Sequence, residues 1–290
     1  MTRATKLRGA GLATLLLLLA PACSSSPAIP ADYGTGGAGG VGARGADGGP
    51  DSGAVGGPDS GAAGALALVG SCPDHNAPVD PTALIDDMEA GASAILIEGG
   101  RNGGWWAGGD TLSPNATIEP DNEAPSALIP NGGPCGSLHA KHVTGQGFTS
   151  WAVLTASLVV GQVDGGMYAD MPYDAHIRTG ITFWARIGTP SVDKVRFAVS
   201  DKYTRPEGGF CDNDATTATT KTACYDTAGI DLPLTTTWTQ FQIPFGGLGQ
   251  RMFGYPEKQM GPDASAIYTI DFNFYPSTVF DFWLDDISFY

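Results

Sequence analysis

Positive charge is scarce in this sequence: 15 lysines and arginines stand against 30 aspartates and glutamates, a net charge of −15. A chain of that balance is repelled by polyanions, which excludes nucleic acid as a partner. Long apolar runs are also missing. The most apolar stretch, Gly11 to Ala20, falls short of the roughly 20 residues that a bilayer core needs. No segment repeats its apolar residues at helical spacing, so helical folds have no support. The sequence contains no C-x-x-C pair, no G-x-S-x-G elbow and no Gly-rich phosphate loop leading into a helix. Zinc sites, hydrolase elbows and nucleotide-binding loops are thereby set aside.

What the N-terminus does hold is a charged start, Arg3, Lys6 and Arg8, followed by Leu15 to Leu19 and then Ala20-Pro21-Ala22-Cys23. This order predicts a secretory signal over 1–22. Its end resembles the lipobox of bacterial lipoproteins. That resemblance implies cleavage before Cys23, lipid on Cys23, and anchorage to a membrane. Export to the outer membrane or cell surface is the expected localisation, with Ser24 a further pointer to outer-membrane sorting by the same resemblance. Loss of the three basic residues with the leader takes the net charge from −15 to about −18.

Four cysteines remain, Cys72, Cys135, Cys211 and Cys224. An even number in an exported chain reads as two disulfides, for which three pairings exist. Cys211 and Cys224 flank a Thr-rich loop, Asp212 to Ala223, and closing it removes about 3 kcal/mol of unfolded-state freedom. The expected pairs are therefore Cys211–Cys224 and, by elimination, Cys72–Cys135.

Between Cys23 and about Gly70 the chain is Gly, Ala, Ser, Pro and Asp, and Gly48-Gly49-Pro50-Asp51-Ser52-Gly53-Ala54 recurs from Gly56 to Ala62. Two copies without apolar residues cannot build a solenoid core. Residues 23–70 are expected to be a disordered tether with a reach of roughly 35–40 Å. The folded domain is placed at 71–290, with its core over about 84–290.

That domain reads in period two. The clearest expected strands are Gly180 to Ile187, Val195 to Ser200, Trp238 to Pro244, Tyr268 to Tyr275 and Val279 to Phe289; weaker ones are Leu84 to Glu89, Ala94 to Glu98, Ser137 to Thr144 and Ala152 to Val160. Many short strands punctuated by Gly and Pro predict an all-β fold, an antiparallel two-sheet jelly-roll β-sandwich. Leu84-Ile85-Asp86-Asp87-Met88-Glu89 opens it and Leu284-Asp285-Asp286-Ile287-Ser288-Phe289 closes it. Between them lie Gly180-Ile181-Thr182-Phe183-Trp184-Ala185 and Trp238-Thr239-Gln240-Phe241-Gln242-Ile243-Pro244-Phe245. In this order the motifs resemble the galactose-binding-like jelly-roll carbohydrate-binding modules, in particular the family 11 type found beside cellulases. The resemblance implies a two-sheet jelly roll, a sugar bound on an exposed sheet face, and a structural Ca²⁺. By resemblance the calcium ligands are Asp87, Glu89 and Asp285, with Asp286 or backbone carbonyls completing the shell. Alternation puts Asp285 and Asp286 on opposite faces. The sequence departs from the family in its long cysteine-bearing loop from Asp201 to Asp226.

Alternation also sorts the strands into core and outer faces. Ile181, Phe183 and Ala185 oppose Thr182, Trp184 and Arg186. Val195, Phe197 and Val199 oppose Arg196, Ala198 and Ser200. Tyr268, Ile270, Phe272 and Phe274 oppose Thr269, Asp271, Asn273 and Tyr275, and Phe280, Phe282 and Leu284 oppose Asp281 and Trp283. The second sets mix rings with polar groups, as a sugar demands: its C–H faces stack on rings while its hydroxyls need fixed donors and acceptors. The expected ligand face is Trp184, Arg186, Arg196, Asn273, Tyr275 and Trp283, with Trp105 and Trp106 next in line. On this reading Trp184→Ala and Trp283→Ala weaken polysaccharide binding and leave the fold intact.

Catalytic groups are hard to find. Glu119-Pro120-Asp121-Asn122-Glu123 has the acid spacing of laminarinase-like hydrolases, but Pro120 and Asn122 replace the apolar residues between them, so it reads as a loop. His139 and His142 point to opposite faces of a strand. Gly99 to Trp106 reads as a turn. The expected function is non-catalytic polysaccharide binding by a surface-anchored lipoprotein. A glycan-active enzyme such as a glycoside hydrolase, and a cell-envelope adhesion or scaffold protein, are the alternatives.

Overall fold

A computed structural model describes residues 67–68, 80–110, 114–212, 222–255 and 261–290. The signal expected over 1–22, Cys23, Cys72 and all of the tether except Ala67 and Leu68 lie outside the described residues. Strands dominate the rest, and among the described residues the helical elements are single 3-10 turns. The first half of the chain supplies β1 (Ala67–Leu68), β2 (Leu84–Asp86), β3 (Gly104–Gly109), β4 (Thr117–Glu119), β5 (Asn122–Glu123), β6 (Ser126–Leu128), β7 (His139–Gln146) and β8 (Ala152–Ser157). The second half adds β9 (Val159–Gln162), β10 (Tyr168–Met171), β11 (Gly180–Ile187), β12 (Lys194–Asp201), β13 (Ala228–Pro233), β14 (Thr239–Pro244), β15 (Ile267–Phe274) and β16 (Phe280–Phe289).

Two antiparallel sheets face each other as a jelly-roll sandwich. The back sheet runs β1-β14-β11-β16-β7-β4, and the front sheet runs β13-β12-β15-β8-β3-β5. β16 is long enough to serve two partners: Phe280 to Leu284 pair with β7, and Ile287 and Ser288 pair with β2. Between these segments Asp286 adopts φ 49°, and the register against β11 shifts between Thr182 and Trp184. This bulge re-phases the strand, so that Ile287 and Phe289 face inward after Phe280, Phe282 and Leu284.

The inward sets anticipated by alternation meet in one core. Phe183 lies edge-on to Phe272 at 5.2 Å and also contacts Phe197 and Phe241, while Phe274 stacks on Phe280 at 3.8 Å. Each such ring removed from water contributes on the order of 2–3 kcal/mol. Charged groups share this interior, among them Lys141, Asp86 and Arg101. Lys141 is fully buried, and its ammonium donates to the carbonyls of Ala92 (2.6 Å) and Ala124 (3.0 Å) and lies 3.9 Å from Asp86.

Several elements differ from expectation. Gly104–Gly109 is a full strand rather than part of a turn. Glycines in and beside it are required by packing: a Cβ on Gly109 would stand 2.2 Å from the Phe148 ring, and one on the preceding Gly103 1.9 Å from the Ser157 carbonyl oxygen. The opening strand stops at Asp86 because Met88 turns to φ 63°. Ala94 to Glu98 reduces to one bridge, Ala94 with Gly104. Ala152 to Val160 divides at Leu158 into β8 and β9, and the latter leaves the sandwich to pair with β10. Asn122–Glu123, read as loop, pairs with Trp106 and Ala107 at the sheet edge. Ala67 and Leu68, inside the expected tether, pair with Gln242 and Phe241 of β14. An exposed sheet edge accepts main chain of any composition.

A candidate binding groove on the front sheet

The outer face of the front sheet is where polar and aromatic side chains come together in the open. Outward positions of β3, β8 and β15 supply Trp106, Val153, Thr155, Ser157, Thr269, Asp271 and Asn273, which floor a groove of about 510 Å³. Trp151, Asp170 of β10, and Arg205, Tyr225 and Thr227 of the loop between β12 and β13 complete its lining.

β3 explains why one tryptophan is available and its neighbour is not. Trp105 points inward, is 2% exposed, and donates its indole N–H to Asp86 Oδ2 at 2.7 Å. Trp106 points outward and keeps 37% of its surface exposed. Its ring lies along its own strand over Gly108, where a Cβ would come within 2.5 Å of the indole Cζ2. Glycine two residues on thus lets the indole lie flat. The Trp151 ring sits 6.4 Å away at 31°. It is positioned by Asp110, whose carboxylate accepts the N–H groups of Thr149 (3.0 Å), Ser150 and Trp151 (3.0 Å).

Asp271 lies at the centre of the floor. Burial pushes its carboxyl above the usual range, even though Thr155 and Thr269 hydrogen-bond to it and Arg205 lies close. Arg205 is itself opposed by burial. Glu207 (3.2 Å), Asp170 (2.5 Å) and Asp271 outweigh that opposition and hold its charge. Arg205 also lies over the Tyr225 ring at 5.7 Å.

The loop that carries Arg205 and Tyr225 is held at several points. Cys211 and Cys224 are disulfide-bonded, as expected, and bonds of this kind persist in oxidising compartments outside the cytosol. The Tyr225 N–H donates to the Thr204 carbonyl at 2.8 Å. Buried Asp226 accepts N–H groups of Arg251, Phe253 and Gly254, and buried Asp201 accepts those of Tyr203, Thr204 and Asp263. Cys135 is also disulfide-bonded; its expected partner Cys72 lies outside the described residues.

The six residues expected to form one ligand face are divided between opposite sides of the sandwich. Trp184, Arg186 and Trp283 lie on the back sheet, and Arg196, Asn273 and Tyr275 belong to the front. The back rings are occupied by one another: Arg186 lies over Trp238 (5.1 Å) and Trp283 (4.7 Å), and His142 stacks on Trp283 at 3.7 Å. Trp184 and Trp283 are 8% and 7% exposed. On the front, Asn273 lines the groove. Arg196 is turned to the Gly249 carbonyl (2.6 Å) and Asp231 (3.7 Å), and Tyr275 donates to Asp231 at 2.5 Å. Burial and Asp231 push the Tyr275 hydroxyl up to about 12.

The four acids named for calcium do not close into a shell. Among the described residues no three His, Cys, Asp or Glu side chains are grouped to hold a metal. Glu89 accepts the N–H groups of Leu138 (2.8 Å) and His139 (3.0 Å), and Asp87 accepts that of Glu89. Oδ2 of fully buried Asp285 has no hydrogen-bond partner of good geometry. Burial, then Asp286, raises this carboxyl to about 8, with Glu89 adding to the effect and the Ser137 side chain and the Asp286 N–H opposing it.

No protein-family model matches the chain, and no curated protein matches it. Among solved structures its fold is similar to the family 11 carbohydrate-binding module of the Clostridium thermocellum cellulosomal cellulase Lic26A-Cel5E. The TM-score is 0.41 at 18% identity, over 71% of this chain and 92% of that one. It is also similar to the family 30 carbohydrate-binding module of the C. thermocellum cellulosomal cellulase Cel9D-Cel44B (TM-score 0.39, 15% identity, 64% and 90% covered). A third similar structure is TmCBM61 in complex with β-1,4-galactotriose (TM-score 0.34, 10% identity, 73% and 96% covered).

Proposed function

We propose that the chain binds a glycan reversibly in the front groove. The observation that carries this reading is the open Trp106 ring, laid flat over Gly108 beside a row of hydroxyl, carboxyl and amide groups from Thr155, Asp271 and Asn273. A ring face takes the C–H side of a sugar, and the polar row takes its hydroxyls. Charge agrees with a neutral ligand, because Arg205 is already matched by Asp170 and Glu207. The test is retention on a panel of polysaccharides that includes mixed-linked β-1,3-1,4-glucan and β-1,4-galactan, comparing wild type with Trp106→Ala. Release of reducing sugar from a retained polysaccharide would make the groove an enzyme's instead.

Two further features belong to the same proposal. The first is lipid anchorage at Cys23, supported by Ala20-Pro21-Ala22-Cys23 after the apolar run. Intact mass should show a lipidated mature N-terminus that is lost in Cys23→Ala, and an unmodified wild-type N-terminus contradicts it. The second is a structural Ca²⁺ at Asp285, supported by its buried oxygen without a hydrogen-bond partner of good geometry and the neighbouring charges of Asp286 and Glu89. Calcium takes oxygen ligands of this kind. EDTA should lower the melting temperature; an unchanged value contradicts the site.

A further inference from the structure

We propose that the β9–β10 hairpin carries an outer subsite of the groove, with Tyr168 as its ring and Gln162 as its polar partner, so that the ligand is a glycan chain longer than the groove itself. The inference rests on the glycan reading of the groove and adds to it a preference for chain length.

The hairpin pairs with neither sheet of the sandwich; β9 and β10 form a two-stranded sheet of their own. Its inner end is fastened. Asp170 reaches Arg205 at 2.5 Å, and Asn102 exchanges two hydrogen bonds with the Val160 backbone at 3.0 and 2.8 Å. Asp170 lines the groove, so the face of β10 that carries it is the face turned toward the ligand. Side chains two apart on a strand share a face, which puts Tyr168 on that same face, about 7 Å further out. Across the hairpin, Tyr168 pairs directly with Gln162. Directly paired side chains have Cβ atoms about 5 Å apart.

Exposure sets this pair apart from the rest of the strand face. Tyr168 is 74% exposed. A tyrosine beside an amide offers what a sugar needs, one stacking surface and one group that both donates and accepts. Trp106 and Asp170 both line the groove, so a ligand that lies on Trp106 and reaches Tyr168 passes Asp170 and continues beyond the groove. A short ligand fills the groove without reaching Tyr168.

The experiment uses the full mature chain and, for each polysaccharide retained in the panel, its oligosaccharides from trisaccharide to octasaccharide. Wild-type affinity is expected to rise with length beyond the trisaccharide. Tyr168→Ala should bind the octasaccharide about tenfold more weakly and the trisaccharide as wild type does, in proportion to the loss of one stacking ring. Tyr168→Phe should retain the octasaccharide affinity. Trp106→Ala should weaken both lengths, which separates failure of the subsite from failure of the groove. Wild-type-like octasaccharide binding by Tyr168→Ala, or an equal loss at both lengths, overturns the inference. Retention of no polysaccharide overturns the glycan reading and the subsite with it.

Discussion

Asp271 is the residue at which stability and binding part company. Its carboxyl is raised above the ordinary value by burial, so the folded state holds a proton that the unfolded state has already released. From the unfolded value of about 3.9 upward, stability therefore falls as pH rises toward the folded pKa. Asp271→Asn keeps an acceptor for Thr155 and removes the charge. It is expected to melt higher than wild type at neutral pH, with the difference vanishing in acid, and to bind the glycan more weakly. Thermal melts across pH check the first part, and a variant that melts lower at neutral pH contradicts it. Alternation along β15 already placed Asp271 and Asn273 together on a polar face. Trp106 was harder to assign, because two adjacent tryptophans must face opposite ways, and only the glycine two residues on tells which one lies flat and open.

Among the elements, β16 and β11 show why a polar outer face is not by itself a site. Trp283 sits between Arg186 and His142 and packs with Ile129 and Ala140 under the segment that follows β6. Trp283→Ala is therefore expected to cost about 3–5 kcal/mol of stability, measured by denaturant unfolding, while glycan binding by the folded fraction is unchanged. Loss of binding without loss of stability would restore the back sheet as a ligand face. Strands with large apolar residues at every second position, such as Gly180–Ile187, were legible to the residue. Gly104–Gly109 was not, because glycines in and beside it answer to close approaches by Phe148 and Ser157, which local composition does not record. The loop from Asp201 to Asp226 was legible as a disulfide-closed excursion. Its course as a groove wall is fastened by Asp226 on the N–H groups of Arg251, Phe253 and Gly254 and by Asp201 on that of Asp263, distant partners that no local pattern announces.

At the scale of the whole molecule, period two tells inside from outside but not which sheet a strand joins. β11 and β12 follow one another and look alike, yet the chain crosses from the back sheet to the front between them. Three of the expected ligand residues accordingly face away from the other three. The all-β class and the sandwich survive this division because they depend only on burying the inner faces of both sheets. Among the described residues, the front face carries an open ring, Trp106, beside the polar row of Thr155, Asp271 and Asn273. The most direct test of that account is the affinity of the mature chain for whichever polysaccharide the panel retains, measured for wild type and Trp106→Ala at equal folded fraction. The account predicts about a tenfold to hundredfold loss on removal of the ring with an unchanged melting temperature; equal affinity in the two proteins would contradict it.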